Sequence, residues 1–268
     1  MIEVIKKAKE LLDNKTVGVV IGYGEGSDGK ARAIFVRNSQ DADKFIFDQR
    51  CKQNLAVYLN KHEVRHFGKM GILAPLPVMR AILQIASEAQ IKESDFVAIG
   101  ITPDGHYVEL PDFKAIENYI SSLHSELLTD EEMQEIAKMD AMTMDERWAF
   151  WQEEFSKCIK CYACRAACPM CYCTRCIVEV NQPQMVDVPS HKLGNLEWHI
   201  NHAMHLAGRC VNCGDCARAC PVNIPLNLFT KKLISEIKEE FGATAGTSAS
   251  SDSVLSTYKP NDKENFII

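Results

Sequence analysis

The stretch KCIKCYACRAACPMCYCTRC, residues 157–176, holds seven cysteines between Cys158 and Cys176. Four of them, Cys158, Cys161, Cys164 and Cys168, form C-x2-C-x2-C-x3-C, with Pro169 after the last. Cys210, Cys213, Cys216 and Cys220 repeat that spacing, followed by Pro221. This is the spacing of two-cluster 4Fe-4S proteins, in which the fourth cysteine of each run ligates the cluster of the other. Three closely spaced thiolates wrap three irons of one cubane, and a short helical stretch carries the fourth to the neighbour. The expected ligand sets are therefore Cys158, Cys161, Cys164 and Cys220 for cluster one, and Cys210, Cys213, Cys216 and Cys168 for cluster two. A structural zinc site calls instead for paired CxxC knuckles with Cys or His partners, with no need for the terminal Cys-Pro.

Cys171, Cys173 and Cys176 remain, with the distant Cys51. The twelve cysteines then divide into three groups of four. A CxCxxC triplet suits three irons of a third cubane, and Cys51 is the one cysteine left to complete it. A third cluster of this kind would lock the N-terminal part of the chain onto the cysteine-rich part. The alternative for Cys51 is a buried apolar thiol, on one face of a predicted helix with Phe47, Leu55 and Tyr58. Fully cysteine-ligated cubanes offer no open iron to a substrate, so two or three of them describe a one-electron relay rather than a site of bond chemistry. Lys157, Lys160, Arg165, Arg175, Arg209 and Arg218 flank the ligands, either offsetting their charge or simply facing solvent.

The 268 residues are 46% hydrophobic and 25% charged, enough for two modest domains. A net charge of −6 argues against a nucleic-acid partner. No apolar run approaches a membrane span, and MIEVIKKAKELLDN (1–14) reads as an amphipathic helix rather than a signal peptide, so no direct membrane insertion and a cytoplasmic location are expected. In that reducing compartment cysteines are better metal ligands than disulfide partners.

The fold class expected is α+β: an N-terminal α/β domain followed by a helical ferredoxin-like domain with multiple 4Fe-4S clusters. The α/β domain covers 1–112. Its strands are expected at 16–23, 31–37, 69–74 and 96–102, and its helices at 41–60 and 78–90. The unit over 69–102 reads as strand–helix–strand, the sign of parallel pairing. A helical connector follows at 113–156, then the ferredoxin domain at 157–241. The latter is expected to contain a helical insert over LGNLEWHINHAMHLAG (193–208) and a final helix from Pro225. The small, polar remainder, 242–268, reads as disordered or extended on a partner.

The segments GYGEG (22–26), RCKQNLAVYL (50–59), the two cysteine runs with their flanks (157–176 and 205–228) and STYKPNDKENFI (256–267) resemble the iron–sulfur beta-subunit-type proteins of the deazaflavin-reducing hydrogenase and formate dehydrogenase beta subunit family, in its bacterial, heterodisulfide-reductase-associated form. The resemblance implies an electron-transfer subunit of a multi-subunit oxidoreductase. Its partners would be a heterodisulfide-reductase-A-like flavoprotein and a hydrogenase, formate dehydrogenase or other low-potential catalytic subunit. The other reading is a catalytic subunit whose flavin exchanges hydride with a soluble deazaflavin or nicotinamide carrier. Flavin is not favoured: the chain ends soon after the second cysteine motif, and LAPLPVMRAIL (73–83) differs from the family's more polar, glycine-containing loop.

Three weaker signals have ordinary readings. GYGEGSDG (22–29) precedes a strand rather than a helix, so it reads as a turn between strands and not a dinucleotide fingerprint. His199, His202 and His205 recur every third residue. They are packing or surface residues in the plain reading, and donors to cluster sulfur or an iron ligand in the other. Glu132 and Glu135 read as a solvated helix face, and no catalytic residue is assigned.

Overall fold

In the computed structural model, which describes residues 1–180 and 182–255, a five-stranded mixed sheet anchors the N-terminal half. Helix α1 (Ile2–Asp13) buries Val4, Ala8, Leu11 and Leu12, spaced as one apolar face. Strands β1 (Val19–Glu25) and β2 (Ala31–Val36) pair antiparallel; of GYGEGSDG (22–29), residues 22–25 lie in β1 and the rest form the hairpin turn. Next come α2 (His62–Arg65), β3 (Met70–Ala74), α3 (Leu76–Ser87), β4 (Phe96–Ile101) and β5 (Tyr107–Leu110). The sheet order is β2-β1-β3-β4-β5, with β1, β3 and β4 parallel and both edge pairs antiparallel. The central β3 is buried at every residue, as a strand covered on both faces should be, whereas edge β2 is mostly only partly buried or exposed. Strand β5 was not among the expected strands; its YVEL carries only four residues of signal.

The helix expected over 41–60 is not formed. A 3-10 turn at Ser39–Lys44 gives way to extended chain at Phe45, and a second 3-10 turn covers Leu55–Tyr58. Tertiary bonds hold the backbone out of a helix. Ile46 N donates to Tyr23 O (2.9 Å), Asp48 accepts from Arg50 N (2.9 Å), and Asn54 accepts from Ala56 N (3.1 Å). Asp and Asn side chains compete in this way with helical hydrogen bonds. Cys51 therefore does not share a helical face with Leu55 and Tyr58.

Helices α4 (Phe113–Ser122), α5 (Asp130–Asp140) and α6 (Met144–Ser156) fill the predicted helical connector. Thr129 with Glu132, and Thr143 with Glu146, close capping boxes on the last two. The cysteine-rich region adds α7 (Ala163–Ala167), α8 (Lys192–Leu206), α9 (Asp215–Arg218) and α10 (Leu226–Phe241). Lys231 on α10 is 5% exposed and pairs with Glu132 (3.1 Å) and Glu135 (2.9 Å) of α5. Those two carboxylates thus hold a helix pair together while Glu135 stays on the exposed face, its side chain 53% exposed.

Met170, Leu206, Val211 and Ala245 join the apolar core of the sheet, so the cysteine-rich region and the N-terminal unit share one interior. A second core gathers Phe155, Cys158, Cys164, Val186, Trp198, Ile224 and Leu226. Residues 242–255 differ from the expected disordered or partner-bound tail: they pack on the protein's own N-terminal unit. Gly246 N donates to Gln84 Oε1 (3.0 Å) and Ala249 N to Glu117 Oε1 (2.9 Å). Gly246 has φ +70°, and a Cβ there would lie 2.5 Å from Arg80 O, so only glycine allows this approach. The expectation for 256–268 lies outside the described residues.

Candidate metal centre

The two cysteine loops have the same backbone. In the first, Lys160 and Tyr162 take left-handed φ of 54° and 56°; in the second, Asn212 and Gly214 take 54° and 74°. These are the second and fourth residues after the leading cysteine in each run. Left-handed residues set among right-handed ones turn successive N–H groups inward, forming a concavity suited to an anion. Lys160 N donates to Cys158 Sγ (3.3 Å), and Asn212 N makes the equivalent bond to Cys210. Ile224 N lies 3.4 Å from Cys220 Sγ. Such bonds favour thiolate sulfur.

The fourth cysteines cross over. Helix α7 packs on α9, so Cys168 and Cys220 each leave their own run for the other. Burial pushes the Cys164 thiol up to about 12, and Cys158, Cys161 and Cys220 are the sulfurs that add to the effect. Burial likewise raises Cys158, with Cys161 and Cys220 beside it. Burial, Asp215, Cys168 and Cys210 raise Cys213, while burial and then Cys210, Cys168 and Cys213 raise Cys216. The sulfurs that act on one another thus fall into two sets, Cys158, Cys161, Cys164 and Cys220, and Cys168, Cys210, Cys213 and Cys216, although among the described residues no three His, Cys, Asp or Glu side chains converge as a formed metal site. Cys164 is also among the groups that raise Cys216. Buried sulfurs in two such sets, three of them with N–H donors, have the chemistry to hold two cubanes that would compensate the burial of thiolates.

The remaining cysteines are differently placed. Cys171 Sγ lies 3.3 Å from His202 Nε2 and within reach of Cys168, whose thiol it helps to raise. Cys173 is exposed, and Cys176 N donates to Glu179 Oε2 (3.0 Å). A cavity of about 460 Å³ beside Cys168, Cys171 and Cys173 is walled across by Val57, Asn60 and His62. Cys51 does not line it. Its Sγ lies 3.8 Å from Ile46 O and acts, together with Cys213, on Tyr23.

Most of the flanking basic groups are paired. Lys157 meets Glu154 (2.5 Å), Arg165 meets Glu179 (2.6 Å), Arg209 meets Glu88 (2.6 Å) and Arg218 meets Asp215 (2.5 Å). Lys160 is buried and donates to Asp187 O. The positive charge near the sulfurs is therefore largely spent on carboxylates.

Two carboxylates that sequence reasoning missed tie the halves together. Asp215, between Cys213 and Cys216, is 4% exposed and accepts from Asn54 N (2.6 Å). Arg218 extends that contact by donating to Lys52 O (3.0 Å). Glu88, the residue capping the end of α3, accepts from Arg209 Nε (2.7 Å) and from the Tyr172 hydroxyl (2.6 Å). Asp215 had a signal in its place inside the motif; Glu88 had none.

Residues 154–224 match the model of the 4Fe-4S dicluster domain. The cysteine-rich part of the chain is thus of the iron–sulfur, electron-transferring kind. Two relatives carry the likeness further. Over 97 residues, 36% of this chain and 25% of the relative, it is 32% identical to the F420-dependent formate dehydrogenase subunit beta of Methanocaldococcus jannaschii. Over 39 residues, 15% of this chain and 10% of the relative, it is 38% identical to the F420-dependent formate dehydrogenase 1 subunit beta of Methanococcus maripaludis. The chain spans a quarter or less of the length of these curated relatives. Among the described residues no helix is long and apolar enough to cross a membrane.

Proposed function

We propose that this chain relays single electrons inside a cytoplasmic multi-subunit oxidoreductase. On this reading Cys158, Cys161, Cys164 and Cys220 hold one 4Fe-4S cluster, and Cys210, Cys213, Cys216 and Cys168 hold the second. The observation that supports the proposal is the packing of α7 on α9, with Cys168 acting on Cys213 and Cys216 and Cys220 acting on Cys164. Such clusters supply one-electron chemistry with potentials set by charge, hydrogen bonds to sulfur and exposure. The protein's own residues bury the sulfurs, aim N–H groups at them and clamp the loops to the sheet. The partner subunits are those the family resemblance implies: a heterodisulfide-reductase-A-like flavoprotein with a hydrogenase, a formate dehydrogenase or another low-potential enzyme. The two curated relatives, both beta subunits, support an assembly of that class.

Cys171, Cys173 and Cys176 are proposed to hold a third cluster with Cys51 as its fourth ligand. Anaerobically purified full-length protein is then expected to contain about twelve irons, about four per cubane. It should show a broad iron–sulfur absorption without releasable flavin. Replacing Cys51 with serine should lower iron by about four. Iron that stays at the wild-type level in this variant removes Cys51 from the ligand set. Colourless protein holding only zinc would end the iron–sulfur reading altogether, and stoichiometric flavin would favour the hydride-exchanging alternative.

A further inference from the structure

Helix α8 turns Asn195, Trp198, His199 and His202 toward the interior, all buried. Asn195 Nδ2 donates to Cys158 O (2.8 Å), and His202 Nε2 meets Cys171 Sγ. His199 is different. It is 3% exposed, and both of its ring nitrogens are buried with no hydrogen-bond partner among the described residues. Buried polar groups are nearly always satisfied, so an imidazole with two open nitrogens points to a partner that is not a protein atom.

The ring is held in place. It stacks on Phe155 at 4.5 Å with an 18° interplanar angle, while Trp198 stacks on His202 at 4.8 Å. Phe155 and Trp198 belong to the same buried core as Cys158 and Cys164, with Cys220 and Cys216 packed against it. Through Phe155, the His199 ring adjoins the core that holds Cys158 and Cys164 and has Cys220 packed against it. Burial, with His202 and Lys160 adding, pushes His199 down to about 3, which leaves a neutral imidazole carrying one N–H donor.

We propose that His199 is a positioning residue whose ring N–H donates to a sulfur of the cluster held by Cys158, Cys161, Cys164 and Cys220, raising that cluster's potential. The inference rests on the iron–sulfur reading above. Reduction adds one electron to the cluster from an external donor, and no bond to His199 forms or breaks. A donor on sulfur stabilises the added negative charge more than it stabilises the oxidised state, so it favours reduction.

The test is an anaerobic redox titration of the full-length protein, followed by electron paramagnetic resonance. His199→Phe keeps the stack and loses the donor. It should make reduction of one cluster about tenfold less favourable, a fall of about 59 mV for one electron. The remaining midpoints should stay put. His199→Gln retains an N–H and should hold the midpoint near that of wild type. A His199→Phe protein with full iron and unchanged midpoints overturns the proposal and leaves a packing residue or a buried water. Should that variant fail to load iron, hyperfine spectroscopy of reduced wild type with nitrogen-15 histidine decides: coupling to a histidine nitrogen that His199→Gln loses supports the proposal, and its absence overturns it. Wild-type protein without iron would instead sink the underlying iron–sulfur reading.

Discussion

Replacing Cys168 with serine will destroy the cluster of the second cysteine run and spare that of its own. Cys168 ends the first motif in sequence, yet its thiol acts on Cys210, Cys213 and Cys216. None of the sulfurs acting on Cys164 is Cys168; they are Cys158, Cys161 and Cys220. Iron should drop by about four per chain. The resonance that remains should respond to Cys220→Ser and not to Cys216→Ser. The reciprocal Cys220→Ser should remove the first cluster and keep the second. A ligand swap between adjacent loops would reverse this: loss of the Cys158–Cys164 cluster in the Cys168 variant would show that each run closes on its own fourth cysteine. Double replacement of Cys168 and Cys220 should remove both ferredoxin-type clusters, leaving at most the iron bound through Cys171, Cys173 and Cys176.

The features readable in the sequence were those with local causes. Cysteine spacing is a property of one loop, so the two equal runs announced themselves, and both carry left-handed residues at equivalent places, 160 and 162 in one and 212 and 214 in the other. Strands β1, β3 and β4 were legible because burial on both faces leaves nearly unbroken apolar runs. Helix α8 was legible as well, although its three histidines looked alike. Only packing separates them: His199 without a hydrogen-bond partner among the described residues, His202 on Cys171 and His205 outside the buried face. The helix expected over 41–60 failed for the complementary reason. Its apolar spacing is helical, but Asn54 N is committed to Asp215, 161 positions away, and Ile46 N to Tyr23. Long-range bonds of that sort leave no trace in a window of twenty residues. The same segment carries Cys51, so the least legible part of the chain also bears on the third cluster.

Glu88→Ala should loosen the cysteine-rich region from the sheet and cost about 3 kcal/mol, the effect of stranding one partner of a largely buried ion pair. Glu88 and Arg209 side chains are 13% and 23% exposed, and Arg209 also donates to Met170 O (3.2 Å) and lies over the Tyr172 ring at 5.3 Å. One carboxylate thus fixes the residue before Cys210 and the residue between Cys171 and Cys173. Burial alone would raise the Glu88 carboxyl, but bonds from Arg209, Tyr172 and Gln84 hold it below the usual carboxylate range. A folded-state pKa below the unfolded one gives stability that is present above the ordinary carboxylate range and lost as pH falls through the depressed value. Wild type should therefore lose part of its advantage over Glu88→Gln on acidification, while the gap stays constant above neutrality. Denaturant unfolding of the two proteins across that range measures it. A constant gap down to strongly acidic pH would show that Glu88 acts by shape, and a wild-type-like midpoint for Glu88→Ala would show that the two halves hold together through the shared core of Met170, Leu206 and Val211 alone.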